Sequence, residues 1–161
     1  MADAELQKIV SEVKKGIIAV MNECKMPCRT IFATRAEDYV YKPYDEIRET
    51  FQYQRRKSSE GGIQDPDTYE VDIDEGELSM TITSNLKGNP EYAPPRNGSE
   101  GWDSGNITEI IEEGTGYHWR GSTIYKREPF PRPWMEKSGD EFVDTMLIPM
   151  IDMRVQQILG G

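Results

Sequence analysis

Few side chains in this 161-residue chain are spaced to do covalent or metal chemistry. Cys24 and Cys28 are its only thiols and stand four apart, about one helical turn. Thiol–disulfide exchange uses the tighter Cys-x-x-Cys spacing, so buried structural thiols are the expected role. His118 is the sole histidine. A zinc site needs several converging His or Cys ligands, and a Ser-His-Asp hydrolase needs a nucleophile elbow such as Gly-x-Ser-x-Gly, which is absent. Asp65, Asp67, Asp72 and Asp74 suggest calcium. Counted from Asp72, however, glycine falls at the fifth position and Thr83 at the twelfth, where a calcium loop wants glycine sixth and glutamate twelfth. Glu112 and Glu113 could pair with another carboxylate for acid–base work, but adjacent acids beside an apolar turn are more often a solvated face or partners for arginine. No cofactor or metal is expected, and no catalytic residue.

Recognition is the better-supported chemistry. From Ile107 to Met135 the chain carries Ile110, Ile111, Glu112, Glu113 and Gly114, then Tyr117, His118, Trp119, Arg120, Tyr125, Lys126 and Arg127, and finally Pro129-Phe130-Pro131-Arg132-Pro133-Trp134. Aromatics and arginine dominate interface hot spots, and flanking prolines lower the entropy cost of docking an anchor. The candidate interface residues are Glu113, Gly114, Trp119, Tyr125, Arg127, Phe130, Arg132, Pro133 and Trp134. For Trp119, Tyr125, Phe130 and Trp134 a second reading stands equally, as a small core beneath the loops. Arg132 is suited to a bidentate contact with a carboxylate, Glu112 or Glu113 or an acid on a neighbouring subunit.

The same stretch resembles the neck, or tail-completion, proteins of long-tailed bacteriophages. Ile111, Glu113 and Gly114 match that family's hydrophobic-Glu-x-Gly element. Arg132, Pro133 and Trp134 match an Arg-Pro-Phe element that opens the last helix, with Trp in place of Phe. Tyr41, Pro43, Tyr44 and Arg48 resemble a further Tyr-x-Pro-x-Tyr-x-Arg element, although the spacing departs from it. The resemblance implies a structural virion protein that joins head to tail. It implies a homo-oligomeric ring, roughly six- or twelve-fold, partnered by other neck, connector or tail proteins, with DNA passing through the lumen without specific binding.

Composition bounds these readings. Twenty-nine acidic residues against 19 basic ones give a net charge of −10. That balance offers no counterion-release affinity for nucleic acid and excludes an ordinary DNA binder. It suits a surface that DNA slides past. No signal-peptide pattern and no membrane-length apolar run occur, so synthesis in the cytoplasm is the expectation, and the phage resemblance implies residence in the virion. An acidic interaction module, such as a DNA-mimic inhibitor without a virion role, is the alternative. The basic clusters at Arg55, Arg56, Lys57 and at 120–127 speak against a pure mimic. A small carboxylate hydrolase ranks last.

The elements that must position these residues read as one α+β domain over 1–161. Leu6, Ile9, Val10, Val13, Ile17, Val20, Met21 and Cys24 recur at three- and four-residue steps and predict a helix over 3–24, with Asp3 as N-cap and Gly16 a weak point. Pro27 is expected to end or kink it. Residues 38–41 are expected as a short extended segment, with Lys42 held extended by Pro43. Tyr69, Val71 and Ile73, then Leu78, Met80 and Ile82, alternate with polar residues and predict a hairpin over 68–84 that turns at Asp74–Glu77. A helix over 133–159, kinked or split at Pro149, closes the chain. The 14 glycines and 10 prolines concentrate in loops near 58–66, 85–105 and 115–132, expected to order on contact with neighbours.

Overall fold

The computed structural model describes residues 2–43, 61–86, 108, 111–112 and 131–160. The fold is α+β, with helices at both ends of the sequence and one two-stranded antiparallel sheet among the described residues.

Helix α1 runs Ala2–Glu23. It starts one residue before Asp3, so Asp3 is not the N-cap. Asp3 and Glu5 instead lie in the first turn, where a negative charge meets the partial positive end of the helix. Helix α2, Lys25–Ala36, follows after Cys24. Pro27 falls in its first turn. The proline ring opposes the carbonyl of residue i−4, which is Glu23, and the break between the two helices falls there. The ladder resumes at once, with Cys24 N–H donating to Val20 O and Cys28 N–H to Cys24 O, both at 2.9 Å.

The extended segment predicted at 38–41 is not formed. Glu37–Tyr41 is a π turn that continues α2, and it buries Val40 and Tyr41. Lys42 is not extended either. It has φ −58 and ψ −48, and its N–H reaches back five residues to Glu37 O. The same arrangement recurs near the other end of the molecule. Helix α3, Trp134–Phe142, passes through a π turn at Val143–Leu147 into helix α4, Ile148–Gly160. Ile148 N–H donates to Val143 O, and Pro149 comes next. Each proline therefore follows a wide i→i−5 turn at the same offset. A π turn shifts the ladder by one residue just where the missing proline N–H and the ring's clash would disrupt it. The helical run thus passes Pro149 without splitting.

The hairpin forms as predicted. Strand β1, Tyr69–Asp74, pairs with β2, Ser79–Ser84, in the register Tyr69↔Ser84, Val71↔Ile82 and Ile73↔Met80. Glu70, Asp72 and Asp74 point to solvent on the other face. Asp74 Oδ1 accepts the N–H of Gly76 at 2.9 Å and of Glu77 at 3.0 Å and so builds the turn. Leu78, expected in the second strand, closes the turn at φ 51, a left-handed conformation that costs a leucine about 1 kcal/mol.

The core lies where α2, the hairpin and α3 meet. Phe32, Tyr69 and Trp134 are its largest side chains. Phe32 and Tyr69 pack with ring centroids 5.9 Å apart at 54°, the tilted geometry that aromatic quadrupoles favour. Around them sit Val20, Cys24, Cys28, Ala33, Ala36, Val40 and Phe142. Arg35 on α2 grips Glu141 on α3 with Nε and Nη2, and Lys137 stands 5.4 Å over the Tyr39 ring.

Helix α4 lies along the second half of α1. Gly16, expected to weaken α1, permits this approach: a Cβ there would sit 2.6 Å from Ile158 Cδ1 and 3.2 Å from Arg154 Cγ. Arg154 also pairs with Glu23 at 3.1 Å, and Cys24 Sγ lies 3.6 Å from Met150 Sδ. Gly16 of α1 and Cys24 just past its end thus meet Ile158 and Met150 of α4, an antiparallel pair.

Candidate interface site at the start of helix α3

Helix α3 opens at an awkward sequence. Its N-cap position is Pro133, which has φ −74 and ψ 66 and no side chain able to accept a hydrogen bond. The first N–H groups of a helix need an acceptor from somewhere. Here it comes from far along the chain. Glu112 Oε1 accepts the N–H of Met135, 23 residues away. Next to it, Arg132 N–H donates to Ile111 O at 2.9 Å. Trp134 N–H turns back to Arg132 O at 2.7 Å, and Lys137 N–H to Pro133 O at 3.1 Å begins the helical ladder. Partial burial pushes the Glu112 carboxyl above its ordinary range, and hydrogen bonds from the N–H groups of Met135, Glu136 and Trp134 pull the other way.

Beneath this junction the indole of Trp134 is completely buried. Its Nε1–H points to Tyr69 Oη at 3.4 Å, and that hydroxyl donates to Ile63 O at 2.5 Å. Burial raises the Tyr69 phenol well above its usual range, so it stays a neutral donor. Arg29 Nε donates to Tyr69 O and ties α2 to the start of β1. A short polar chain therefore links α3, β1 and the turn at 61–64 through the buried core.

Of the predicted interface residues, Glu113, Gly114, Trp119, Tyr125, Arg127 and Phe130 lie outside the described residues, as does His118. Arg132 and Pro133 are half-buried at the junction. Trp134 presents no surface to a partner. In this chain it is core, the second of the two roles open to it. The two sequence elements that carry the phage resemblance are brought together, since Ile111 touches Arg132 through the backbone. The acid that docks is Glu112, whose sequence context predicts a solvated face or an arginine partner. The signal for it was an omission: Arg132-Pro133-Trp134 opens a helix with no Ser, Thr, Asp or Asn at its cap.

The remaining chemistry-bearing groups are absorbed by structure. Cys24 and Cys28 are free and buried. Desolvation pushes Cys28 up to about 12 and raises Cys24 as well, so both remain protonated and unreactive at neutral pH. Asp65 is buried and accepts the N–H groups of Gly61 at 2.8 Å and Asp67 at 3.0 Å, capping the 3-10 turn Pro66–Thr68. Of the loop predicted at 58–66, residues 61–66 form a turn packed on the core, with Ile63 buried. Among the described residues no group of three His, Cys, Asp or Glu could hold a metal ion, and no helix is long and apolar enough to cross a membrane.

The architecture is thus a small α+β protein whose last helical run is capped from a distant segment. The chain belongs to the YomN family, whose model matches residues 5–153. That membership points to a phage-associated protein. No curated protein and no solved structure matches the chain significantly.

Proposed function

We propose that this protein is a structural component of the phage virion at the neck or tail-completion complex, joining the DNA-filled head to the tail. Its copies assemble into a closed ring that binds neighbouring neck, connector or tail proteins. The observation that carries this reading is the junction at α3. The two elements that resemble those of neck proteins, around Ile111 and at Arg132–Trp134, are 21 residues apart at the bonded pair Ile111 and Arg132 and bond to each other in space. Membership of a phage-associated family supports the same reading. So does the net charge of −10, which lets DNA pass a lumen without adhering. The protein acts by ordered protein–protein association and performs no catalysis.

Electron microscopy of a phage lysate made without this gene tests the proposal. DNA-filled heads beside separate, complete tails are the expected result. Heads with absent or malformed tails would move the role into tail assembly. Normal infectious particles would overturn it in favour of an acidic interaction module.

A further inference from the structure

The hairpin leaves one edge open. Asn85 N–H donates to Thr68 O at 2.8 Å just beyond the strands, so Glu70, Asp72 and Asp74 are the β1 residues whose backbone bonds to β2. The residues between them turn their backbone groups outward. On β1 that edge is covered: Tyr69 O accepts from Arg29 Nε, and Tyr69 and Val71 are buried. On β2 the outward groups belong to Met80, Ile82 and Ser84, and among the described residues no backbone group pairs with them. Folded proteins blunt such an edge with lysine, proline or a bulge. Ser79–Ser84 has no charge and no proline, and its register with β1 runs unbroken.

The face beside that edge is strongly charged. Residues 61–86 hold seven acids and no lysine or arginine, which accounts for seven of the chain's ten net negative charges. Glu70, Asp72, Asp74, Glu75 and Glu77 are exposed, and among the described residues none is in an ion pair. A strand laid on β2 would run about 5 Å from it and about 10 Å from the acidic column on β1. Only Ser79, Thr81 and Thr83 stand between, short enough for a lysine or arginine to reach over. On the other face the same strand would lie beside Met80 and Ile82, which are half-buried and pack on the core.

We infer that the outer edge of β2 receives an extended segment of another protein as a third strand, with lysine or arginine on alternate residues above the acids and apolar residues between them beside Met80 and Ile82. In strand addition the main-chain bonds supply affinity and the alternate side chains supply specificity. Charge complementarity selects the occupant. A second copy pairing edge to edge would set two acidic hairpins side by side with no base between them, and like charges oppose that contact. The inference names the kind of segment a neighbouring protein presents and does not depend on the neck reading.

Titration of the full chain with a short peptide of alternating lysine and valine, followed by backbone NMR and amide exchange, tests it. The amides of Met80, Ile82 and Ser84 should exchange fast in the free protein and become protected as the peptide binds. Asp72→Lys lies on the exposed face, so the fold should survive, and binding should weaken roughly fivefold or more. Peptides N-methylated on alternate residues test the backbone bonds: methyls on the residues whose N–H faces β2 should abolish binding, and methyls on the others should leave it. Equal binding by both, or by a peptide with its lysines and valines in two blocks, would overturn strand addition in favour of bare charge attraction. Equal binding by a glutamate–valine peptide would overturn the choice of a basic occupant, and no binding by the lysine–valine peptide would overturn the inference outright. Protection of Met80 and Ile82 in the free protein would overturn it too. Protection that grows with protein concentration would assign the edge to a second copy, and protection that does not would assign it to a segment of the same chain.

Discussion

Glu112 caps helix α3 through the backbone N–H of Met135, across 23 residues of sequence. The contact makes the start of the last helix depend on a segment that is not part of it. It also clamps together the two ends of the stretch that carries all nine candidate interface residues.

Replacing Glu112 separates the acceptor from the charge. Glu112→Ala removes the acceptor, leaves the first N–H groups of α3 without it, and should cost about 1–3 kcal/mol. Glu112→Gln keeps an acceptor and removes the charge that burial penalises, so its cost should stay under about 1 kcal/mol. For a chain of this size each kcal/mol lowers the melting temperature by about 2–4 °C. Equal losses for the two variants in thermal melts would show that the charge, and not the acceptor, matters.

The same residue sets a sign for pH dependence. The folded-state pKa of Glu112 is raised, so between the unfolded and folded pKa values the folded chain holds more protons. Its contribution therefore favours folding below the unfolded value and is lost as pH rises through the folded one. Urea melts across the acidic range should show a downward slope with rising pH from this group that Glu112→Gln lacks. A slope unchanged by the substitution would refute the assignment.

Tyr69 Oη sits between Ile63 O and Trp134 Nε1 in the buried core. Tyr69→Phe leaves the carbonyl and the indole N–H without this partner and should destabilise by about 1–3 kcal/mol while preserving the fold. Chemical denaturation followed by tryptophan fluorescence reads this directly. A variant as stable as the parent would mean that water replaces the hydroxyl.

Gly16 tests the seam between α1 and α4. Gly16→Ala gains about 1 kcal/mol of helix propensity but sets a methyl 2.6 Å from Ile158 Cδ1, the movable end of a side chain. The two effects should nearly cancel. Gly16→Leu cannot be accommodated that way and should cost about 1–3 kcal/mol by overpacking. Melting temperatures of the pair should diverge accordingly. A Leu variant as stable as the parent would show that the helices separate freely.

Much of this protein follows from local pattern. The apolar repeat of α1, the alternation of the hairpin and its Asp74 turn, and the closing helical run are written in periods of 3.6 and 2, because each period decides which side chains share a face. The four-residue spacing of Cys24 and Cys28 likewise anticipated two free, buried thiols. Where neighbours in space decide, sequence did not suffice. Residues 38–41 read as extended, yet packing draws Glu37–Tyr41 into a π turn that buries Val40 and Tyr41, and Pro43 and Pro149 are tolerated because a π turn shifts the hydrogen-bond ladder ahead of each. Gly16 read as a flaw until α4 was laid against it. Trp134 could have served an interface or a core, and only the arrival of Tyr69 and Phe32 beside it selects the core. Glu112 looked like a surface acid. Its role as a cap exists only once Met135 lies beside it, because a hydrogen bond between residues 23 apart has no period to announce it.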